Sequence, residues 1–436
     1  MIVAKVREWR MTGGIAERQR ALDVRDPQLR AKRQLMLLNR CWIETCRSTP
    51  FYHRAVVSGQ LPCSFTSLDE FVSVVPPTAR ADVRNRQTEL TANCRPPEWY
   101  RTTGGSTAEP IQMPSWHDEH TFTSSDLWLA RSWYGIRPAD RQFMIWGHAH
   151  LLGSGFQGFI NKRTRILKDR LLGYYRFSAY DLTVERLRNS CDELLFFKPS
   201  YVLGYSVALD AFARVNADRH RELRRLGVKA VIGAAEAFPF EDSIQRVADV
   251  FGAPVAMEYG SVETALIAHT VPTGGYDVFW ETYFVEVTDS GAIRVTSLYP
   301  RCFPLVRYEL GDELVPLAGA DPYPLYRLER VRGRCNDFVT LASGARIHSE
   351  AVTHVVRSCP GLAGYQWITS DDGTNELRLR LAKNVSKKEL DMIRVRLRRI
   401  HPELSTVNVS ITDQFITGMA GKTPMVVRRA SGSSFT

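Results

Sequence analysis

An α/β architecture is predicted: a large layered α/β domain over residues 1–333, followed by a small α+β domain over residues 334–436. Three observations predict it. The 436 residues exceed one compact core and suggest about two or three domains. Between 228 and 264 strand and helix signals alternate, the pattern of a sheet layered with helices, in which ligands sit at the carboxyl ends of the strands. Near Arg334 the chain turns to short strands and an amphipathic helix, in about a hundred residues, enough to fold as a unit.

In chain order, DPQLRAKRQLMLLNRCWIETCRS (26–48) reads as a helix opened by Asp26. VVPPTARADVRN (74–85) breaks at Pro76-Pro77 and then suggests a short helix. FMIWGHAHLLGSGFQGF (143–159) is apolar and glycine-rich: a strand, a loop and the start of a helix. DLTVERLRNSCDELLFFKPS (181–200) has a helical period and stops at Pro199. ALDAFARVNADRHRELRRLG (208–227) reads as one helix closed by Gly227. VKAVIGAAE (228–236) is a buried strand running into small residues, and EDSIQRVADVFG (241–252) is a helix capped by Gly252. APVAMEYGSVET (253–264) is a strand ending at a glycine turn. FWETYFVEVTDSGAIRVTSL (279–298) is two strands around Asp289-Ser290-Gly291.

In the small domain, residues 336–347 give a strand and turn, and 349–359 a helix opened by Ser349. GYQWITS (364–370) and ELRLRLA (376–382) are strands joined through Asp-Asp-Gly. SKKELDMIRVRLRRI (386–400) is an amphipathic helix with Ser386 and Glu389 as its capping box. TVNVSIT (406–412) reads as the last strand, and ASGSSFT (430–436) as a frayed end.

Hydrophobic residues make up 44% and charged residues 24%, an ordinary balance for a globular protein. No apolar run reaches the length of a membrane span, and MIVAKVREWR lacks the apolar stretch of a signal peptide, so a cytoplasmic protein without a membrane partner is expected. The eight cysteines are scattered without CxxC pairs, which favours reduced thiols over a zinc site. The net charge is +10. From Arg334 onward 15 Lys and Arg stand against 9 Asp and Glu, a surplus of +6. That balance suits phosphorylated small molecules, or a plain solvated face, and no nucleic-acid-binding signature accompanies it.

TGGSTAEP (103–110) follows the aromatic pair Trp99 and Tyr100. Such a run is either a flexible surface loop or a phosphate cradle, where glycines let backbone N–H groups approach an anion and hydroxyls add donors. It is not a P-loop, because no GK[ST] follows the glycines. Further stretches come in order after it: GAAEAFP (233–239), EYGSVET (258–264), RYELGDEL (307–314), GRCNDFVTLASGARI (333–347) and GKTPMVV (421–427). This order, over nearly the whole chain, resembles the adenylate-forming ligases, and closely the phenylacetate–coenzyme A ligase branch with its capsule-associated relatives. VTSLYPRCFPLVRYELGD (295–312) looks especially like that branch. The chain departs from the family's phosphate loop at Ala108, where glycine is usual, and at Glu109, where a basic residue often stands. Ala108 narrows the loop's conformations, since positive φ is costly without glycine.

The resemblance implies ATP-dependent activation of a small carboxylic acid, expected to be aromatic, as an acyl-AMP. The acyl group then passes to a thiol, coenzyme A or the pantetheine of an acyl carrier protein. Attack between two anions needs cations and aimed donors. By resemblance, Thr103, Gly105, Ser106 and Thr107 hold the β- and γ-phosphates, and Glu263 holds Mg²⁺. Glu236, Tyr259, Gly260 and Ser261 belong to the nucleotide site, with Tyr259 on the adenine. Asp312 accepts from the ribose hydroxyls, Arg334 helps at ribose or phosphate, and Lys422 bridges carboxylate and α-phosphate. Asn336 and Asp337 form a hinge joining the two domains. Plain alternatives stay open: a turn for Asp312, a helix cap for Glu263, a solvated Lys422, and an Arg334–Asp337 pair. In WGHAH (146–150), His148 and His150 share a strand face, which suits packing, a metal or an acyl pocket. Trp146, His148 and Ala235 are the pocket candidates. An amine acceptor, adenylation of a coenzyme, and a non-catalytic ATP-binding relative are the alternative functions. The sequence does not choose between a monomer and a dimer.

Overall fold

Asp26 opens the first helix that the sequence predicts, its carboxylate accepting from the backbone N–H of Gln28 and Leu29. The computed structural model describes residues 2–102, 112–146, 155–179, 182, 184–235, 237–238, 242–334, 338–343, 345–348, 352, 355–356, 362–370, 374–381, 386–412, 414–416 and 426–429. Ahead of the Asp26 helix, α2 (Pro27–Ser48), lies α1 (Ile2–Leu22), which the sequence reading did not foresee. Short helices follow: α3 (Pro50–Val57), α4 (Leu68–Val74), α5 (Arg80–Asn85) and α6 (Gln87–Leu90). The Pro76-Pro77 break separates α4 from α5, as expected. Strands β1 (Trp99–Thr102) and β2 (Gln112–Ser115) pair antiparallel, Thr102 opposite Gln112, on either side of TGGSTAEP. After them come α7 (His117–Ser132), β3 (Gln142–Trp146), α8 (Gly155–Leu172), β4 (Tyr174–Ser178), α9 (Val184–Phe197) and β5 (Tyr201–Tyr205).

The helix expected over 208–227 is two. α10 (Ser206–Val215) stops at Asn216, a 3₁₀ turn follows, and α11 (His220–Arg225) runs to Gly227 at φ +60°. The cause is Asn216. Buried and outside the helical region, it donates from Nδ2 to the carbonyls of Leu187 (3.2 Å) and Phe212 (3.0 Å). β6 (Val231–Ala234), α12 (Ser243–Phe251) and β7 (Val255–Ser261) then alternate, and Gly252 closes α12 at φ +63°. β8 (Ala265–Thr270), β9 (Tyr276–Val278), β10 (Tyr283–Val287), β11 (Ala292–Ser297), β12 (Tyr308–Pro316) and β13 (Arg327–Arg334) complete one sheet of eleven strands.

The order across that sheet is β10-β11-β12-β13-β9-β8-β7-β6-β5-β3-β4. From β4 to β7 every pair is parallel, and from β7 to β10 every pair is antiparallel. β7, the EYGSVET strand, is the seam. The parallel strands read as continuous apolar runs because helices cover them. Phe143, Val202, Val231, Phe212 and Phe251 form one core there, and Phe71, Tyr283, Phe284, Leu328 and Tyr308 form another under the antiparallel part.

Beyond Arg334 a smaller sheet has the order β18-β17-β16-β19, with β16 (Leu362–Ser370), β17 (Asn375–Leu381), β18 (Asn408–Ile411) and β19 (Val426–Arg429). β14 (Phe338–Thr340) and β15 (Arg346–His348) make a hairpin. The helix α13 (Lys387–Ile400) carries the expected capping box: Ser386 accepts from the Glu389 N–H, and Glu389 from the Ser386 N–H. Val339, Ile347, Trp367, Leu377, Leu379, Ile393 and Leu397 pack between these elements. The architecture is thus a large α/β part and a small α+β part. TVNVSIT is not the last strand, since β19 follows and pairs parallel with β16. Of the helix expected over 349–359, residues 352, 355 and 356 are described and helical. Residues 430–436 lie outside the described residues. The six described cysteines are free thiols. Among the described residues, no helix is long and apolar enough to cross a membrane.

Candidate active site

Trp146, Tyr205, Ala235 and Ser261 mark the carboxyl ends of four neighbouring parallel strands or the residue just beyond. That edge is where layered α/β sheets hold ligands. Trp146 is half-buried and packs on Tyr205, ring centroids 4.4 Å apart. Ala235 is exposed, with φ +70°, a left-handed conformation that a residue other than glycine adopts at a cost. Of the pocket candidates, His148 lies outside the described residues, as does His150.

The Gly260–Glu263 stretch is shaped by a tight return. β7 pairs with β8 through Gly260 opposite Leu266 and Ser261 opposite Ala265, with a bulge between Tyr259 and Gly260. A Cβ on Gly260 would lie 2.0 Å from the Ala265 carbonyl oxygen, so this close approach admits only glycine. Ser261 and Thr264 tie the turn: the Ser261 N–H donates to Thr264 Oγ1 (3.0 Å) and the Thr264 N–H to Ser261 Oγ (3.2 Å). Past Thr264 the chain enters the strand β8, so no helix is there for Glu263 to cap.

Tyr259 points back over the antiparallel part of the sheet. Its hydroxyl donates to Asp312 Oδ2 at 3.1 Å, so two residues 53 positions apart in sequence meet. Asp312 lies within β12, opposite Arg334 of β13, rather than in a turn. The backbone of Arg334 is thereby placed beside Asp312.

Glu263 is buried, with about 5% of its surface exposed. Its Oε1 accepts from the Tyr308 hydroxyl at 3.4 Å and lies 3.9 Å from Arg80 Nη2. Sequence reasoning missed both neighbours. Their signals were the TAR of VVPPTARADVRN, which holds Arg80, and the tyrosine of RYELGDEL, and the first docks on the second: the Thr78 N–H donates to the Arg307 carbonyl (3.1 Å) and the Glu309 N–H to the Thr78 carbonyl (3.0 Å). Arg307, at φ +45°, locks that junction by ion pairing with Glu286 (2.7 Å) and donating to the carbonyls of Val72 and Val75. A single buried carboxylate suits Mg²⁺, which keeps waters and phosphate oxygens as its other ligands. Among the described residues no group of three His, Cys, Asp or Glu side chains forms a cage.

Several predicted residues lie outside the described residues: Thr103, Gly105, Ser106, Thr107, Ala108 and Glu109 of the glycine stretch, Glu236, Asn336 and Asp337, and Lys422. Tyr259, Gly260, Ser261, Glu263 and Asp312 are brought together around one turn.

No protein-family model matches the chain, and no curated protein sequence matches it. Solved structures do. The chain is similar to 2-hydroxyisobutyryl-CoA ligase in the postadenylation state in complex with R3-HIB-AMP, with 16% identity, a TM-score of 0.58, and coverage of 94% of this chain and 91% of that one. The same ligase in complex with 2-HIB-AMP and CoA in the thioesterification state gives 17% identity and a TM-score of 0.58, covering 94% and 92%. Its open conformation gives 18% and 0.55, covering 91% of each chain. Over nine-tenths of its length, therefore, this chain shares the fold of that CoA ligase.

Proposed function

We propose that the chain is an ATP-dependent, AMP-forming ligase. It activates a small carboxylic acid as the acyl-adenylate and passes the acyl group to a thiol, either coenzyme A or the pantetheine of a carrier protein. One observation carries this reading. The Tyr259–Asp312 hydrogen bond stands with buried Glu263 at the carboxyl edge of a sheet, in a fold shared with a ligase whose structures hold 2-HIB-AMP and CoA. The Trp146–Tyr205 wall favours an aromatic acid, through area burial and stacking.

In the first half-reaction, a carboxylate oxygen of the acid attacks the α-phosphorus of ATP, and the bond to pyrophosphate breaks. In the second, the thiol loses its proton and attacks the acyl carbon, and AMP leaves. Asp312 accepts from the ribose hydroxyls, and the hydrogen bond from Tyr259, whose ring lies on the adenine, fixes that carboxylate. Glu236 and Arg334 belong to the same nucleotide site. The hydroxyls and backbone of Thr103, Gly105, Ser106 and Thr107 hold the β- and γ-phosphates. Lys422 neutralises charge between the acid and the α-phosphate. Glu263 would hold Mg²⁺, which when bound offsets phosphate charge. The domain boundary falls at 333/334, with Asn336 and Asp337 as the hinge between half-reactions.

The test is acid-dependent pyrophosphate release from ATP, over a panel of aryl and alkyl acids, with and without coenzyme A. Release is expected with an aryl acid and rises with coenzyme A. Glu263→Gln lowers it on the order of 10²-fold. Stimulation by an amine instead of coenzyme A would make the enzyme an amide synthetase. No release with any acid overturns the reading.

A further inference from the structure

Three consecutive backbone carbonyls in the turn between β7 and β8 are each gripped by a different buried side chain. Arg101 Nη1 donates to the Val262 carbonyl at 3.5 Å, and Arg301 Nη2 to the Glu263 carbonyl at 2.6 Å. The Tyr283 hydroxyl donates to the Thr264 carbonyl. Burial pushes the Tyr283 phenol well above its ordinary range, so it remains a donor. One carboxylate ties the two arginines together. Glu119 Oε2 accepts from Arg101 Nη2 at 3.0 Å and lies 3.6 Å from Arg301 Nε. Its Oε1 accepts from the N–H groups of Trp116 and Cys302, both at 3.0 Å. Arg101 also donates from Nε to Ser115 Oγ (2.9 Å), bridging β1 to the end of β2. All three charged side chains are nearly or fully buried.

The placement is what matters. Arg101 stands in β1, two residues before Thr103, and Ser115 closes β2. Glu119 is in the first turn of α7, and Arg301 lies between β11 and β12. The cluster therefore joins the hairpin that flanks TGGSTAEP to the turn that carries Glu263. A buried charge cluster is a weak source of stability by itself, since desolvation offsets the pairing. Its planar, multiply donating arginines are instead suited to fixing geometry.

We propose that Arg101, Glu119 and Arg301 are positioning residues: they hold the Glu263 turn at a fixed distance from strands β1 and β2, so that Glu263 meets the nucleotide in one position. This rests on the ligase reading of Glu263, and the test separates the two. It compares wild type with Arg101→Lys, Glu119→Gln and Asp210→Asn. Asp210, on α10, is buried with Arg214 (2.7 Å) and Arg246 outside the candidate site, so Asp210→Asn controls for losing a buried ion pair. Arg101→Lys keeps the charge but loses the fork, and serves if Glu119→Gln fails to fold.

The first readout is amide hydrogen exchange over residues 96–116 and 255–268. In Arg101→Lys and Glu119→Gln exchange quickens about tenfold or more in both segments together, and in Asp210→Asn it does not. No change, or an equal change in the control, overturns the clamp whether or not the chain is a ligase. The second readout is pyrophosphate release with MgATP varied. Half-saturating MgATP rises about tenfold while half-saturating acid stays within about twofold. An active wild type with unchanged MgATP dependence in the variants overturns the positioning role. An inactive wild type overturns the ligase reading and leaves the exchange result to judge the clamp.

Discussion

Gly260 and Gly311 flank the two ends of the Tyr259–Asp312 hydrogen bond, and they resist substitution for different reasons. At Gly260 the obstacle is the Ala265 carbonyl, 2.0 Å from any Cβ. At Gly311 the surroundings are open, and the obstacle is φ +82°. Gly260→Ala is expected to cost about 3 kcal/mol, because backbone must move. Gly311→Ala is expected to cost about 1 kcal/mol, the strain of a left-handed alanine. Urea unfolding of the two variants measures both, and equal losses would contradict the packing described. At this scale the sequence was informative where a motif is local: EYGSVET announced its glycine and its acid together. It was silent on Arg101, Glu119 and Arg301. Those three look like any surface charges, and their partners lie up to 188 positions away.

Among the elements, α1 shows how a helix without a readable stripe finds its place. Its Arg18 reaches Asp126 of α7 at 3.1 Å, and Thr282 donates to the same carboxylate at 2.7 Å. Burial pushes Asp126 up from 3.8 to about 6, against the pull of Arg18 and Thr282 and with a push from Glu281. The sign follows from that direction. Below about pH 4 the carboxyl is protonated folded and unfolded. Between about 4 and 6 the unfolded chain ionises first, so stability falls as pH rises, by about 3 kcal/mol for the full shift. Asp126→Asn removes this fall, and the difference between wild-type and variant stability, measured from pH 4 to pH 7, shows it. Other elements were legible or not for definite reasons. Asp26, Gly252 and the Ser386–Glu389 box advertise their helix ends. β4 and β5 are five residues each, and although Gly173 and Pro199-Ser200 mark where they begin, runs that short carry too few residues to show a strand period. α10 and α11 read as one helix because only the tertiary partners of Asn216 reveal the break.

On the scale of the whole molecule, the small sheet has its own core, which among the described residues takes in one residue of the large part, Val207 of α10, and two unfolding transitions are expected. Leu397 is fully buried in the smaller core. Leu397→Ala lowers that unit's stability by about 3 kcal/mol and leaves the transition of the eleven-stranded part in place, as calorimetry would record. The alternation of strands and helices made the parallel half of the large sheet legible. Its fusion with the antiparallel half through β7 was not, because strand pairing is a long-range property that short apolar runs do not encode.

The edge positions of the small sheet bear on Lys422. β18 and β19 border opposite edges, with β17 and β16 between them. The intervening chain thus leaves one edge and is received at the other, anchor points about 14 Å apart at ordinary strand spacing. On the way to Lys422 the chain is moored at Ile416, which exchanges two 2.8 Å hydrogen bonds with the Gln366 side chain of β16, and a chain cut before Val426 would keep that mooring and lose the second one, β19 on β16.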